Sequence, residues 1–158
     1  MDTNYSFVSV WKTYVPLAKV WEIINYSLHW PLWWKDFTVV KEIKEGDEYG
    51  VGSIRRYTVQ SPAIYQLTFD LELTRRIDYQ LLSGKATGEL EGTGLWQFRE
   101  KNGATYIECH WDVKTKKTWM NIFAFILRPA FIYNHRLIMK KGAGYLAGRS
   151  GAEVEVIN

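Results

Sequence analysis

The chain holds one cysteine, Cys109, three histidines on separate segments and no apolar run long enough to cross a bilayer. A lone thiol excludes an internal disulfide and leaves no partner for a thiolate zinc site. With His29, His110 and His135 falling on different elements, no metal is expected. No P-loop, His-Glu-x-x-His or Gly-x-Ser-x-Gly motif occurs, and Gly142, Gly144 and Gly148 follow a helical pattern rather than a strand, unlike a dinucleotide loop. No cofactor is expected either. The apolar run at 122–127 is closed by Arg128-Pro129, far short of the roughly 20 residues a spanning helix needs. A basic stripe interleaved with exposed aromatics is also missing, so nucleic acid is not expected as a partner. The first residues lack a basic and then apolar leader, so a cytoplasmic location is expected and the sequons at Asn4 and Asn25 read as chance matches.

What is present is apolar and aromatic: 47% and 16% of 158 residues. A chain of this size builds one core without staples. One domain over residues 1–148 is expected, followed by a flexible tail at 149–158 in which Val154 and Val156 can add to a sheet edge. The net charge of +3 divides unevenly, because residues 114–158 carry eight basic and two acidic groups. That basic end reads as a solvated helix face, with attraction to phosphate or anionic lipid as the alternative.

Residues 4–13 are rich in β-branched and aromatic types and read as a strand. Pro16 suits a first helical position, and Leu17, Val20, Trp21 and Ile24 follow at the spacing of a one-sided helix. Ser27 is placed to cap a second short helix reaching Trp34. Beyond Phe37, strand signals recur. In the segment 65–74, Tyr65, Leu67, Phe69, Leu71 and Leu73 alternate with polar residues, which assigns Asp70 and Glu72 to a wet face rather than to acid–base chemistry. Asn102-Gly103 marks a two-residue hairpin whose register pairs Lys101 with Ala104, Phe98 with Ile107, Trp96 with Cys109 and Gly94 with Trp111. Cys109 and His110 then point to opposite faces and cannot act as nucleophile and base. Gly88, Gly92 and Gly94 leave side chains off the dry face, which fits either a bulge that curls the sheet or a gap for a ligand.

From Thr118 the pattern predicts a helix running to about Leu146, bent at Pro129 and loosened at its end by Gly142 and Gly144. Its dry stripe holds Trp119, Met120, Phe123, Ala124, Leu127, Ala130, Phe131, Leu137 and Ile138, with Asn134 the one polar side chain among them. A buried amide without a partner costs on the order of 1 to 3 kcal/mol, so Asn134 must meet a strand group, a water or a ligand. His135 and Tyr133 border the stripe.

The order strand, two short helices, antiparallel strands and a long final helix is that of the α+β helix-grip fold, with six to seven strands expected. The segments at 30–34, 50–52, 88–96, 111–113, 119–120 and 128–135 resemble the polyketide cyclase/dehydrase and lipid-transport family of the START and pollen-allergen superfamily. The resemblance covers about residues 5–147 and implies a curved sheet wrapped on the helix around an apolar cavity for lipids, sterols or polyketides. Members that cyclise polyketides use pocket Arg, Tyr, Asn and His groups rather than a fixed motif.

Three functions are therefore expected to compete. The first is binding or carriage of a hydrophobic small molecule, with Trp96, Trp111, Phe69, Leu71 and Phe131 as walls, Asn134 orienting one polar atom, and Trp33, Trp34 and Tyr65 at the mouth. The second is an aromatase or cyclase using Tyr57 with either Arg55 or Arg56, strand parity leaving the choice open, and with His135 as a further candidate. The third is peripheral docking to a membrane or protein through the Trp-rich 30–34 segment and the basic helix end, without stable insertion. Monomer and homodimer both fit.

Overall fold

The computed structural model describes residues 4–60 and 66–158. Strand β1 (Asn4–Thr13) leads into helix α1 (Leu17–Asn25), a 3-10 turn at Ser27–His29 and helix α2 (Trp30–Trp33). The strands β2 (Phe37–Lys44), β3 (Ile54–Gln60), β4 (Gln66–Ile77), β5 (Leu81–Gly88), β6 (Leu90–Lys101) and β7 (Ala104–Thr115) follow, then α3 (Thr118–Ile122), α4 (Ala124–Ser150) and β8 (Val154–Val156). All eight strands form one sheet in the order β2-β3-β4-β5-β6-β7-β1-β8, with every pairing antiparallel. This is one strand more than the six to seven expected. Of residues 149–158, Arg149 and Ser150 finish α4, Gly151 closes it at φ 86°, and Val154–Val156 pair with Thr13–Trp11 of β1. No helix of the described residues is long and apolar enough to cross a membrane.

The hairpin register is the one the turn dictates: Trp96 faces Cys109, Phe98 faces Ile107 and Gly94 faces Trp111. Asn102 and Gly103 both take positive φ, 53° and 79°, as the strand-matching turn requires. The glycines of the dry face serve packing. Gly92, at φ 149°, lies so close to β7 that an added Cβ would sit 1.9 Å from the Asp112 carbonyl oxygen. The space above Gly94 is filled by the Trp111 ring, 2.7 Å from where a Cβ would be. The indole, not a ligand, takes the gap that the sequence left.

Three helical details differ from expectation. The long helix breaks at Phe123, between α3 and α4, while Pro129 lies inside continuous α4. Met120 and Ala124 are buried as the stripe predicts, whereas Trp119 and Phe123, placed on the same stripe, are 40% and 49% exposed because the break changes the phase of the first turns. Gly142 does not loosen the helix. It forms a notch in which the Trp34 indole lies, 2.6 Å from an ideal Cβ position. Ser27 caps nothing; its hydroxyl turns into the interior.

The core is aromatic at one end. Trp11, Trp30, Trp33 and Trp34 are 1 to 6% exposed and interlock with Trp96, the Trp34 ring lying 5.6 Å from Trp11 and 5.1 Å from Trp30. Trp33 and Trp34 are thus core rather than mouth. Only Leu32 of the 30–34 segment projects outward, so docking through these tryptophans has no exposed surface to use.

Candidate functional site

Between α4 and the concave face of the sheet lies a cavity of about 130 Å³. One water needs only about 10–15 Å³ on the same measure, so the space exceeds a few solvent molecules. Its walls include Trp96, Trp111, Phe69, Leu71, Phe131 and Trp34, and the remaining lining includes Trp30, Ile138 and Met139. Alternation along β4, β6 and β7 aims one side of each strand inward, and α4 supplies the opposite wall. Tyr57 and Phe69 stack at 5.6 Å, and Phe69 meets Trp111 at 5.4 Å, so the aromatic wall is continuous across three strands.

Two polar groups of α4 reach this cavity. Asn134 is 2% exposed, and neither its Oδ1 nor its Nδ2 has a hydrogen-bond partner among the described residues. His135 stacks on Phe7 with ring centroids 3.8 Å apart and planes 10° from parallel. Burial, helped by the neighbouring Arg136 charge, lowers its pKa to about 4, so the imidazole is neutral at physiological pH.

A second, more polar chamber of about 270 Å³ adjoins the first and shares Trp30, Tyr57, Leu71, Trp96, Cys109 and Trp111 with it. Here the structure decides between the two arginines. Arg55 turns inward, its Nη1 donating to Ser27 Oγ at 2.9 Å, while its buried Nε has no hydrogen-bond partner among the described residues. Arg56 faces out in a two-pronged ion pair with Asp70, its Nε 2.8 Å from Oδ1, and so leaves the set of site candidates. Tyr57 Oη shares a 2.7 Å hydrogen bond with Ser27 Oγ. Burial pushes the Tyr57 pKa up, and the Ser27 hydrogen bond and Arg55 charge pull it only partly back, which leaves a neutral phenol. Cys109, its pKa pushed up to about 12 by burial, is an inert wall thiol.

Of the sequence-derived candidates, Asn134, Trp96, Trp111, Phe69, Leu71, Phe131, Trp34, Tyr57 and His135 line the apolar chamber and Arg55 the polar one. Tyr65 lies outside the described residues. Sequence reasoning missed Ser27, whose position between two helical patterns signals a cap, and Met139, which the unbroken helical projection put off the stripe. Among the described residues no cluster of His, Cys, Asp and Glu could hold a metal ion.

No known family model matches the chain, and no curated protein is similar to it in sequence. Solved structures match in shape. A START superfamily protein from Mycobacterium smegmatis aligns at TM-score 0.71 and 12% identity over 94% of this chain and 97% of that one. The two-domain aromatase/cyclase BexL of the BE-7585A biosynthetic pathway aligns at TM-score 0.72 and 16% identity over 96% of this chain and 51% of its own, so this chain spans about half its length. The ZhuI aromatase/cyclase from Streptomyces sp. R1128 aligns at TM-score 0.58 and 15% identity over 73% and 70%. The chain has the helix-grip fold of these solved structures.

Proposed function

We propose that the chain binds or carries a hydrophobic small molecule with one or two polar atoms, its apolar body lying between α4 and the sheet. The observation that supports this most directly is Asn134: a buried amide with no hydrogen-bond partner among the described residues, facing an aromatic-lined cavity. Leaving such a group unpaired is costly, and a ligand carbonyl or hydroxyl restores its hydrogen bonds. The solved structures of like fold include a START superfamily protein and aromatase/cyclases.

Native mass spectrometry of the protein as expressed is expected to show an added mass that organic extraction removes. Asn134→Leu is expected to raise the stability of the stripped protein by about 1 to 2 kcal/mol, because it removes an unpaired buried amide. The same variant is expected to weaken binding of the extracted ligand by about tenfold, the worth of one hydrogen bond in a dry site. Chemical denaturation and calorimetric titration read the two effects. A stripped variant less stable than the parent would mean that the amide already has a partner, and binding unchanged by the substitution would remove its orienting role.

A second reading, cyclisation of a poly-β-keto chain, is favoured by the Ser27–Tyr57–Arg55 group at the junction of the chambers. A neutral phenol donates a hydrogen bond to a ketone oxygen while a water molecule takes the α-proton, and an adjacent guanidinium stabilises the resulting enolate. The enolate carbon adds to a second ketone of the same chain, whose oxygen takes up a proton from the hydronium formed. Incubation with a reactive polyketide mimic tests it: an unchanged product distribution relative to buffer rejects turnover while leaving binding intact.

A further inference from the structure

We propose that the break between α3 and α4 is a docking surface for an anionic lipid bilayer. Around Phe123 the chain turns five large apolar side chains outward: Trp119, Ile122, Phe123, Phe125 and Ile126 are 40 to 67% exposed. Met120 and Ala124 from the same turns are buried, so the segment is amphipathic rather than unfolded. Isolated exposed apolar residues are ordinary, but a contiguous group of this kind on a single domain marks a contact surface.

Charge selects the occupant. No acidic residue occurs between Asp112 and Glu153, and Lys114, Lys116, Lys117 and Arg128 flank the patch. Glu91 and Glu89 are the acidic groups paired with those lysines, at 3.4 to 3.5 Å. Such long pairs, exposed for the most part, hold their ammonium groups weakly. Lys117 Nζ lies 6.0 Å from the Trp119 ring centroid, an arrangement suited to the level of lipid headgroups. A basic rim around aromatic and aliphatic side chains on a short helical segment matches an interfacial helix that rests in one leaflet.

The place in the fold gives docking a purpose. Lys117 Nζ donates to the Gln66 carbonyl at 3.0 Å, and Arg128 Nη1 donates to the Asn4 carbonyl at 2.9 Å, which sets the patch over the end of the sheet where β1 and β4 begin. Phe131, on the next turns of α4, lines the apolar cavity. A bilayer held there faces the end of the chamber, so an apolar ligand passes between membrane and protein without crossing water.

Co-sedimentation of the full chain with vesicles tests the proposal whatever the cavity binds. The chain is expected to pellet with vesicles enriched in phosphatidylglycerol, less with phosphatidylcholine alone, and less again at high salt. The double variant Ile122→Glu/Phe125→Glu, both positions being exposed, is expected to lose at least about tenfold in vesicle affinity with its circular dichroism unchanged. Leu32→Glu, a change at an equally exposed position on α2, is expected to bind as the parent does. Failure of the parent to pellet with anionic vesicles, or equal pelleting of the double variant, overturns the proposal. So does a parent dimer in sedimentation equilibrium that the double variant abolishes while vesicle binding is absent, because the patch then joins two copies of the chain.

Discussion

Trp34→Ala is expected to cost about 3 to 5 kcal/mol, the most of any single truncation considered, because it empties the centre of a tryptophan cluster. The indole is 1% exposed, touches Trp11, Trp30, Trp33 and Trp96, and fits the notch at Gly142. Gly142→Ala sharpens the point. Alanine is favoured over glycine inside a helix by about 1 kcal/mol, yet its methyl would lie 2.6 Å from the ring, and a buried indole has little room to retreat. A net loss of about 1 to 3 kcal/mol is expected in the parent. In the Trp34→Ala background the same change is expected to stabilise, since only the helix preference remains. Guanidinium unfolding followed by far-ultraviolet circular dichroism measures all four corners of the cycle. Additive effects would show that the glycine is not there to admit the indole.

Acid is expected to weaken the fold through His135. The folded pKa of about 4 lies below the ordinary 6.5, so between those values the unfolded chain binds a proton that the folded chain refuses. The contribution of the neutral ring is therefore constant above pH 6.5, falls as the pH drops toward 4, and is fully lost below that. A shift of this size corresponds to at most about 3 kcal/mol. His135→Phe keeps a ring against Phe7 and removes the titration. The difference in unfolding free energy between parent and variant is then expected to change by about 2 to 3 kcal/mol between pH 7.5 and 4, with carboxylate titrations cancelling in the comparison. A constant difference across that range would show that the imidazole protonates as easily in the folded chain as in the unfolded one.

Local rules carried the sheet and much of the site. Parity along β4 and the single geometry allowed by Asn102-Gly103 put Phe69, Leu71, Trp96 and Trp111 on the concave face, where they line the cavity. Helical projection put Asn134 and Phe131 on the facing wall. What failed depended on contacts between distant segments. Arg55 and Arg56 are indistinguishable by pattern until Ser27, 28 residues away from Arg55, accepts a hydrogen bond from one and Asp70 pairs with the other. A glycine near the end of a helix looks like a terminus until a tryptophan from another element is found lying on it. The bend is expected at Pro129, but the backbone breaks six residues earlier, which turns Trp119 and Phe123 outward while Met120 and Ala124 stay inside.

The final helix is fastened unequally along its length. Near its end the Trp34 ring sits on Gly142, Lys141 Nζ holds Asp36 at 3.0 Å and Lys19 Nζ caps the Ser150 carbonyl at 2.7 Å. Near its start the Asn121 side chain accepts from Thr115 and Arg128 donates to the Asn4 carbonyl and lies 4.6 Å from the Tyr5 ring centroid, with most of the large side chains turned to water. The rod is thus clamped at its tail and propped at its head, and breathing of the cavity falls to the head. Amide exchange graded along 118–150, fast at the beginning and slow toward Leu146, would be its signature.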